Sequence, residues 1–280
     1  MIEVGKYNEL PILRQTSIGL YLGDDADEVV LLPNKYCPER FNLGEKIRVF
    51  VYRDNADRKI ATNLTPKIIL HQFAFLQVSA VNEVGAFMDW GLEKELLVPY
   101  REQRQKMQQG RWYVVYLDLD PDTDRLIGSN RIEKHLQNET LSIHEGDEVK
   151  LLVYHRSEIG YSVTINGLHK GLVYSNEVFR QLNVGEALKG YVKLIREDGK
   201  VDISLSPIGF TSSNDPNMEL LLARLNAGGG FLALTDNSPP AEVYELLGIS
   251  KKAFKKALGT LYKLGKIRML PDGIAANEAE

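Results

Sequence analysis

The chain has 280 residues, more than one ordinary small domain requires, so its length predicts several domains. Its 44% hydrophobic and 26% charged residues are close to the globular average and exclude extensive disorder. With 34 lysines and arginines against 38 aspartates and glutamates, the net charge is −4, so any nucleic-acid surface must be a local patch. The single cysteine, Cys37, excludes an internal disulfide and a multi-cysteine zinc site.

The N-terminal residues Met1–Gly5 show neither the basic region nor the apolar stretch of a secretory signal. No apolar run along the chain reaches the roughly 18 to 20 residues that a membrane-spanning helix needs. We therefore expect a cytoplasmic protein without a membrane partner.

A repeated spacing organises the first three quarters of the chain. Three anchor glycines each follow a β-branched residue, namely Gly19, Gly85 and Gly160. An apolar segment ends at the same distance after each of them, at Pro33, Pro99 and Tyr174. A second glycine follows each anchor at a fixed distance, at Gly44, Gly110 and Gly185, and so does a basic residue, at Lys59, Arg125 and Lys200. These constant spacings predict three copies of one unit without an internal insertion, and extra residues near 128–144, between the second and third copies.

Each unit is predicted to consist mostly of strands. In the first copy they are Tyr7–Gln15, Gly19–Gly23, Glu28–Leu32, Glu45–Arg53 and Lys59–Asn63. Ile47, Val49 and Val51 alternate with Arg48 and Phe50, which is the period of a half-buried strand. Five short strands with a longer connection after the third are typical of a five-stranded Greek-key barrel of the OB type.

The C-terminal part of the chain follows a different pattern. After the polar linker Thr211–Pro216, we predict a helix at Met218–Asn226, a short strand at Phe231–Leu234, and helices at Ala241–Leu247 and Lys251–Leu264. Ser238 and Ser250 are the expected N-caps of the second and third helices. The third helix is expected to bury Phe254, Leu258 and Leu261. A strand at Lys266–Leu270 and the turn Pro271–Gly273 complete the pattern of a winged helix-turn-helix.

Several of these segments resemble known families. Gly171–Tyr174, Gly185–Val192 and Asp202–Ser206 resemble the S1 RNA-binding domain, as do Gly19–Leu22 and Gly85–Met88 at its second strand. Three such units before a winged helix are similar to the bacterial conserved virulence factor B family (CvfB/YitL type). The resemblance implies a multidomain, mainly β chain with three tandem S1-like OB-fold barrels (residues 1–66, 67–141 and 142–210) and an α+β winged-helix domain (residues 211–280). It also implies RNA binding and a regulatory role. The chain departs from the S1 pattern at Ile18, Val84 and Ile159, which stand where an aromatic residue is usual, and at Ser162, which takes the second aromatic position in the third copy.

A reader of single-stranded RNA needs flat side chains that stack on bases and cations that meet phosphates. The candidate stacking residues are Tyr21, Phe87, Tyr161 and Tyr174, and the candidate cations are Lys59, Arg125 and Lys200. Because side chains alternate along a strand, Tyr21 should point away from the face that Leu20 and Leu22 share. The alternative is that these rings fill the barrel interiors.

The winged helix carries a second candidate surface. Seven basic residues and no acidic residue lie between Glu245 and Asp272. Those proposed to contact phosphates are Lys251, Lys252, Lys255, Lys256, Lys266 and Arg268. No set of base-reading residues opens the third helix, so a solvated face or a surface for a protein partner is the alternative.

The sequence contains no convincing catalytic, metal or cofactor site. The series Asp118, Asp120, Asp122 and Asp124 lacks the glycine and the final glutamate of a calcium loop. The five histidines show no metal-ligand spacing, and Gly228–Gly230 lacks the lysine of a phosphate loop. We therefore predict a non-enzymatic protein that binds single-stranded RNA and regulates gene expression after transcription. The first alternative is a transcription regulator that binds duplex DNA through the winged helix, with the barrels as an oligomerisation or sensing platform, so that the chain forms a homo-oligomer. The second is an adaptor that docks on the ribosome or on a protein partner.

Overall fold

The computed structural model describes residues 1–23, 28–178, 180–207 and 216–277. The chain divides into two compact units, Met1–Leu205 and Ser206–Glu280. Three five-stranded barrels occupy the first unit, and three helices with a small sheet form a winged helix in the second. The predicted fold class is therefore confirmed. The predicted boundary between residues 210 and 211 lies outside the described residues.

The first barrel consists of β1 (Tyr7–Thr16), β2 (Gly19–Gly23), β3 (Val29–Pro33), β4 (Lys46–Arg53) and β5 (Lys59–Thr62). The sheet closes in the order β1-β2-β3-β5-β4, with β3 and β5 parallel and the other pairs antiparallel. Alternate side chains of each strand fill the interior, among them Ile12, Leu20, Leu22, Leu32 and Val51.

The second barrel consists of β6 (Phe73–Val81), β7 (Gly85–Asp89), β8 (Leu96–Pro99), β9 (Trp112–Leu119) and β10 (Leu126–Ser129). Its sheet runs β10-β9-β6-β7-β8. The two edge strands lie against each other, because a Cβ atom on Gly128 would be 2.7 Å from Cγ2 of Val98. This barrel is therefore nearly closed.

The third barrel consists of β11 (Glu148–Arg156), β12 (Gly160–Ile165), β13 (His169–Tyr174), β14 (Ala187–Ile195) and β15 (Val201–Ser204). It closes in the same order as the first, β11-β12-β13-β15-β14. The extra residues that precede it lie mainly in 130–147, where the chain forms a 3₁₀ turn at Ile132–His135.

The constant distance from each anchor glycine to the end of the apolar segment has a direct structural cause. The two ends of this interval pair across the hairpin, giving the pairs Gly19–Pro33, Gly85–Pro99 and Gly160–Tyr174. The anchor glycines have φ angles of +148°, +155° and +159°, which side chains rarely adopt. A Cβ atom would lie 2.1 to 2.3 Å from the carbonyl oxygen of Leu32, Val98 or Val173. Only glycine allows the two strands to approach this closely.

The second glycine of each copy holds the first strand at a β-bulge. The pairing of the first strand shifts by one residue after Ile12, Val78 and Val153. The amides of Gly44, Gly110 and Gly185 donate to the carbonyl oxygens of these same three residues at 2.8, 2.8 and 2.7 Å. The constant spacing between the two glycines thus marks an equivalent contact in all three barrels.

The constant spacing predicts that Lys59 is the counterpart of Arg125 and Lys200, and this prediction is wrong by one residue. The hairpin between β4 and β5 pairs Arg53 with Lys59, whereas the equivalent pairs in the other barrels are Leu119–Leu126 and Ile195–Val201. The residue equivalent to Arg125 and Lys200 is therefore Arg58. The turn of the first copy is one residue shorter than that of the second, and sequence spacing alone placed Lys59 in register.

The first two barrels share a core of aromatic rings. Phe50 is fully buried, and its ring lies 5.6 Å from that of Tyr7 and 5.9 Å from that of Trp90, both edge to face. The ring centroids of Tyr52 and Trp90 lie 6.3 Å apart, also edge to face. Both faces of β4 are consequently buried over Val49–Tyr52, although its alternating pattern predicted one solvated face, which the strand keeps only at Lys46 and Arg48.

The second and third barrels meet at a smaller apolar cluster. Val114, Ile132 and Leu136 are buried there, and the partly buried side chains of Phe75 and Tyr154 pack against them. Gly185 of the third barrel lies against Phe75 of the second, because a Cβ atom at this glycine would be 2.2 Å from the phenyl ring.

The second unit contains α1 (Pro216–Ala227), β16 (Phe231–Leu232), α2 (Pro240–Leu247), α3 (Lys251–Lys263), β17 (Ile267–Leu270) and β18 (Gly273–Ala276). Its sheet runs β16-β18-β17. The core contains Phe254, Leu258 and Leu261 of α3, as predicted.

One of the two predicted helix caps is correct. Ser250 caps α3, because its hydroxyl accepts a hydrogen bond from the amide of Ala253. Ser238 does not cap α2, which begins after Pro239 without a side-chain cap. The Ser238 hydroxyl instead accepts from the amide of Thr235 at 3.0 Å, because the turn before the helix uses it.

Candidate nucleic-acid interface

The second strand of each barrel presents one side chain outward at an equivalent position. Leu20 and Leu22 are buried in the first barrel, and Tyr21 between them is half-buried on the opposite face. Ala86 and Met88 flank Phe87 in the same way. The third barrel has Ser162 at this position. Strand alternation therefore places two of the four predicted rings on the outer surfaces.

A guanidinium group covers the first of these rings. Arg14 pairs with Tyr21 across β1 and β2, and its Cζ atom lies 4.4 Å from the ring centroid. This cation–π contact joins a flat surface and a positive charge in one place. Arg14 was not predicted from the sequence, since the bulge in β1 decides that it lies opposite Tyr21.

The ring of Phe87 lies in a groove between the first two barrels. Phe87 lines this groove of 550 Å³ together with Tyr52, Lys94 and Arg125. Three acidic residues, Glu93, Glu95 and Asp120, line it as well. The structure thus brings together Phe87 and Arg125, which are distant in sequence and were predicted separately as a stacking residue and a phosphate ligand.

The third barrel departs from the predicted site. Tyr161 is only 5% exposed and packs in the barrel core, because it takes the inward register that Leu20 and Ala86 occupy in the other copies. A ring with so little accessible surface cannot stack on a base, so the prediction of Tyr161 as a stacking residue is wrong. Tyr174 is half-buried, and its hydroxyl accepts a hydrogen bond from Arg196, which is ion-paired with Asp202 at 2.8 Å.

Each of the three predicted barrel cations has a carboxylate partner. Lys59 pairs with Glu28, Arg125 with Asp57 at 3.0 Å, and Lys200 with Asp198 at 2.6 Å. The hydrogen bond from Arg125 lowers the pKa of Asp57, and the one from Lys200 lowers the pKa of Asp198. Phosphate would have to compete with these carboxylates.

The pair between Arg125 and Asp57 also connects two barrels. Arg53 of the first barrel reciprocates by pairing with Asp124 of the second at 2.8 Å. Asp57 and Asp124 both have positive φ angles, +65° and +54°, in the turns that carry these pairs. The aspartate series from Asp118 to Asp124 thus ends in a turn that contacts the neighbouring barrel.

The three aliphatic residues that replace the usual S1 aromatic are solvent-exposed. Ile18, Val84 and Ile159 lie at the tips of the hairpins that precede the anchor glycines, and all are more than half exposed. They offer apolar contact without a flat ring, so each barrel has at most one stacking side chain on its second strand.

In the second unit, the basic residues lie on the solvent side of α3 and on the wing. Lys252, Lys255, Lys256, Lys266 and Arg268 are exposed, and Lys251 is half-buried with its Nζ donating to the carbonyl oxygen of Asn237 at 3.3 Å. Lys252, Lys255, Lys266 and Arg268 form no ion pair with any residue in the described parts of the chain. This face is suited to phosphate contacts.

In the ranges 1–23, 28–178, 180–207 and 216–277, no three His, Cys, Asp or Glu side chains converge as metal ligands. Over the same ranges, no helix has the length and apolar character of a membrane span.

A row of OB-type barrels with outward rings, together with a winged helix, defines a class of nucleic-acid-binding multidomain proteins. Sequence comparison supports the class, because residues 4–64 match the S1 domain family and residues 219–275 match the CvfB-like winged helix domain family.

Similar proteins extend over most of the chain. Conserved virulence factor B of Staphylococcus epidermidis is 26% identical, over 89% of this chain and 86% of the relative. The protein YitL of Bacillus subtilis is 27% identical, over 94% of this chain and 90% of the relative. The predicted resemblance is thereby confirmed. A crystal structure of a multidomain protein with nucleic acid binding domains from Streptococcus pneumoniae is 24% identical and covers 98% of both chains, with a TM-score of 0.42.

Proposed function

We propose that this chain binds single-stranded RNA on the outer faces of its barrels and regulates gene expression after transcription. The observation that carries the proposal is the groove in which Phe87, Lys94 and Arg125 lie together. A base can stack on the phenyl ring there while the neighbouring phosphates meet the two cations.

The geometry favours unpaired nucleotides over a duplex. Tyr21 and Phe87 project from strands as flat rings, and such rings stack only on bases that are not enclosed in a double helix. A single outward ring in each of the first two barrels gives weak binding per barrel. Successive barrels that engage one strand raise the apparent affinity, because the second contact forms at a high effective concentration.

The direct test is a titration of the full chain with a fluorescent 12-nucleotide single-stranded RNA and with a DNA duplex of equal length, each at several salt concentrations. We expect the RNA to bind more tightly, and Tyr21→Ala with Phe87→Ala to weaken it by at least about tenfold. The matched control is Tyr244→Ala, which removes an exposed ring of α2. Equal affinity for RNA in the double variant and the control would contradict the proposal.

The winged helix supports a second candidate function. Lys252 and Lys255 lie exposed on α3, the helix that enters the major groove in helix-turn-helix proteins. Tighter binding to the duplex than to the single strand, abolished by substitutions in α3, would favour a DNA-binding regulator instead.

A further inference from the structure

A second cleft lies between the second and third barrels, away from the outward rings of β2 and β7. Its volume is 810 Å³, within the range of about 300–1,000 Å³ that is typical of ligand clefts. Residues 104–105 and 111–114, the turn at 130–134, and residues 154–155 and 184 line it. None of these residues was among the sites predicted from the sequence.

The cleft is strongly basic. Arg104, Arg111, Arg131 and Lys134 line it against a single carboxylate, Glu133. Lys134 is paired with Glu102 at 3.0 Å, and Nε of Arg131 donates to the carbonyl oxygen of Arg101 at 2.8 Å. Arg104 and Arg111 are exposed, and within the described ranges neither side chain has a carboxylate partner. Unlike the three predicted barrel cations, these two guanidinium groups are available to an anion.

The same cleft contains the flat side chains that the third barrel lacks on its second strand. Trp112 is 48% exposed, and its ring centroid lies 5.4 Å from that of Phe75 with the two rings tilted by 33°, so part of the indole stays accessible. Tyr154 occupies the bulge of β11, on the strand beside Ser162. Burial, with the Glu133 carboxylate as a second cause, raises the pKa of Tyr154 to about 12.

We propose that this cleft binds a nucleotide of single-stranded RNA, with the base against Trp112 and Tyr154 and the adjoining phosphates at Arg104 and Arg111. The inference rests on the proposed function and extends it to a site formed jointly by two barrels. It assigns the third barrel an aromatic contact on β11 in place of the missing ring at Ser162. A folded protein partner is the less favoured occupant, because two exposed arginines beside an exposed indole match a phosphate and a base better than a mixed protein surface.

The two tryptophans of the chain allow a local measurement. Trp90 is buried between the first two barrels, and Trp112 lies in the cleft. Acrylamide quenching of the full chain therefore reports mainly on Trp112. Saturating 12-nucleotide oligouridylate should reduce this quenching. Trp112→Ala should weaken RNA binding by about tenfold, and Trp112→Phe should keep most of the affinity because a flat ring remains.

A second experiment tests the two arginines with the double variant Arg104→Ala and Arg111→Ala. The slope of log affinity against log salt should decrease by about 1.4, the value expected for two lost phosphate contacts on a single strand. The matched control, Lys150→Ala with Lys170→Ala, removes two exposed cations of the third barrel that do not line the cleft.

The outcomes distinguish a failure of the cleft inference from a failure of the proposed RNA-binding function. If the wild-type chain binds the RNA but the RNA does not reduce the quenching of Trp112, and the cleft variants keep the wild-type affinity, the inference is overturned and the outer faces remain the proposed site. Equal losses in the cleft variant and the lysine control also overturn it, since the effect is then one of net charge. If the wild-type chain does not bind single-stranded RNA at all, the proposed function fails first.

Discussion

Gly85 and Val98 approach so closely across the hairpin of the second barrel that a Cβ atom on the glycine would lie 2.3 Å from the carbonyl oxygen of Val98. The same contact recurs in the other barrels at Gly19 and Gly160. The anchor glycine is therefore required by backbone packing.

We expect Gly85→Ala to destabilise the second barrel by at least about 3 kcal/mol, because the Cβ atom meets backbone and the φ angle of +155° is unfavourable for alanine. The matched variant Gly110→Ala, with a φ of +78° and no atom within 4 Å of the added Cβ, should cost only about 1 kcal/mol. Urea unfolding followed by tryptophan fluorescence measures both, since Trp90 and Trp112 belong to this barrel. Similar losses for the two variants would show that the close approach is unimportant.

Asp57→Asn should strengthen RNA binding by about two- to fivefold at low salt, because exposed ion pairs contribute little and their removal frees Arg125 for phosphate. Asparagine tolerates the φ angle of +65° at this position, so the turn should keep its shape. Fluorescence anisotropy with labelled RNA is the measurement. Glu39→Gln, which removes one exposed negative charge elsewhere, serves as the control, and an equal gain there would argue against a role of Arg125.

The environment of His135 predicts that the free energy of unfolding depends on pH. Its ring stacks on Tyr116 at 4.1 Å, and its Nδ1 lies 3.6 Å from Asp118. Burial lowers the pKa of His135 below 6.5 despite the opposing effect of Asp118. The folded state therefore binds this proton less well than the unfolded state, and stability is lost as pH falls below about 6.5.

Urea unfolding at pH 7.5 and at pH 5.5 tests this dependence. The loss of stability at the lower pH should be smaller in His135→Phe, which keeps a ring against Tyr116 but cannot titrate. His144→Gln, at a side chain that is 88% exposed, should behave like the wild type. An unchanged loss in His135→Phe would assign the pH dependence to other groups.

In the winged helix, Lys252→Ala with Lys255→Ala should weaken binding to duplex DNA and reduce its salt slope by about 1.8, as expected for two lost phosphate contacts on a duplex. Arg224→Ala on α1 is the control and should leave the slope unchanged. If the lysine variant keeps the wild-type slope, this face of α3 does not contact the duplex.

The sequence by itself determined the repeated unit, the barrel class and the winged helix. Local physical requirements explain this success: a close strand contact demands glycine, a bulge demands a second turn glycine, and a two-residue period separates Leu20 and Leu22 from Tyr21. These requirements act between residues whose separation is the same in each copy, so spacing reveals them. The one-residue difference at Lys59 was missed because a turn can shorten without changing the surrounding pattern.

Only the tertiary structure decided which charged and aromatic side chains are available. Arg125 is paired with Asp57 of another barrel, whereas Arg104 and Arg111 share a cleft with Tyr154 of the third barrel. Packing between barrels also buries Phe50, which the strand pattern alone would leave half-exposed. Such contacts depend on how separately folded barrels dock, and no periodicity within one unit carries that information.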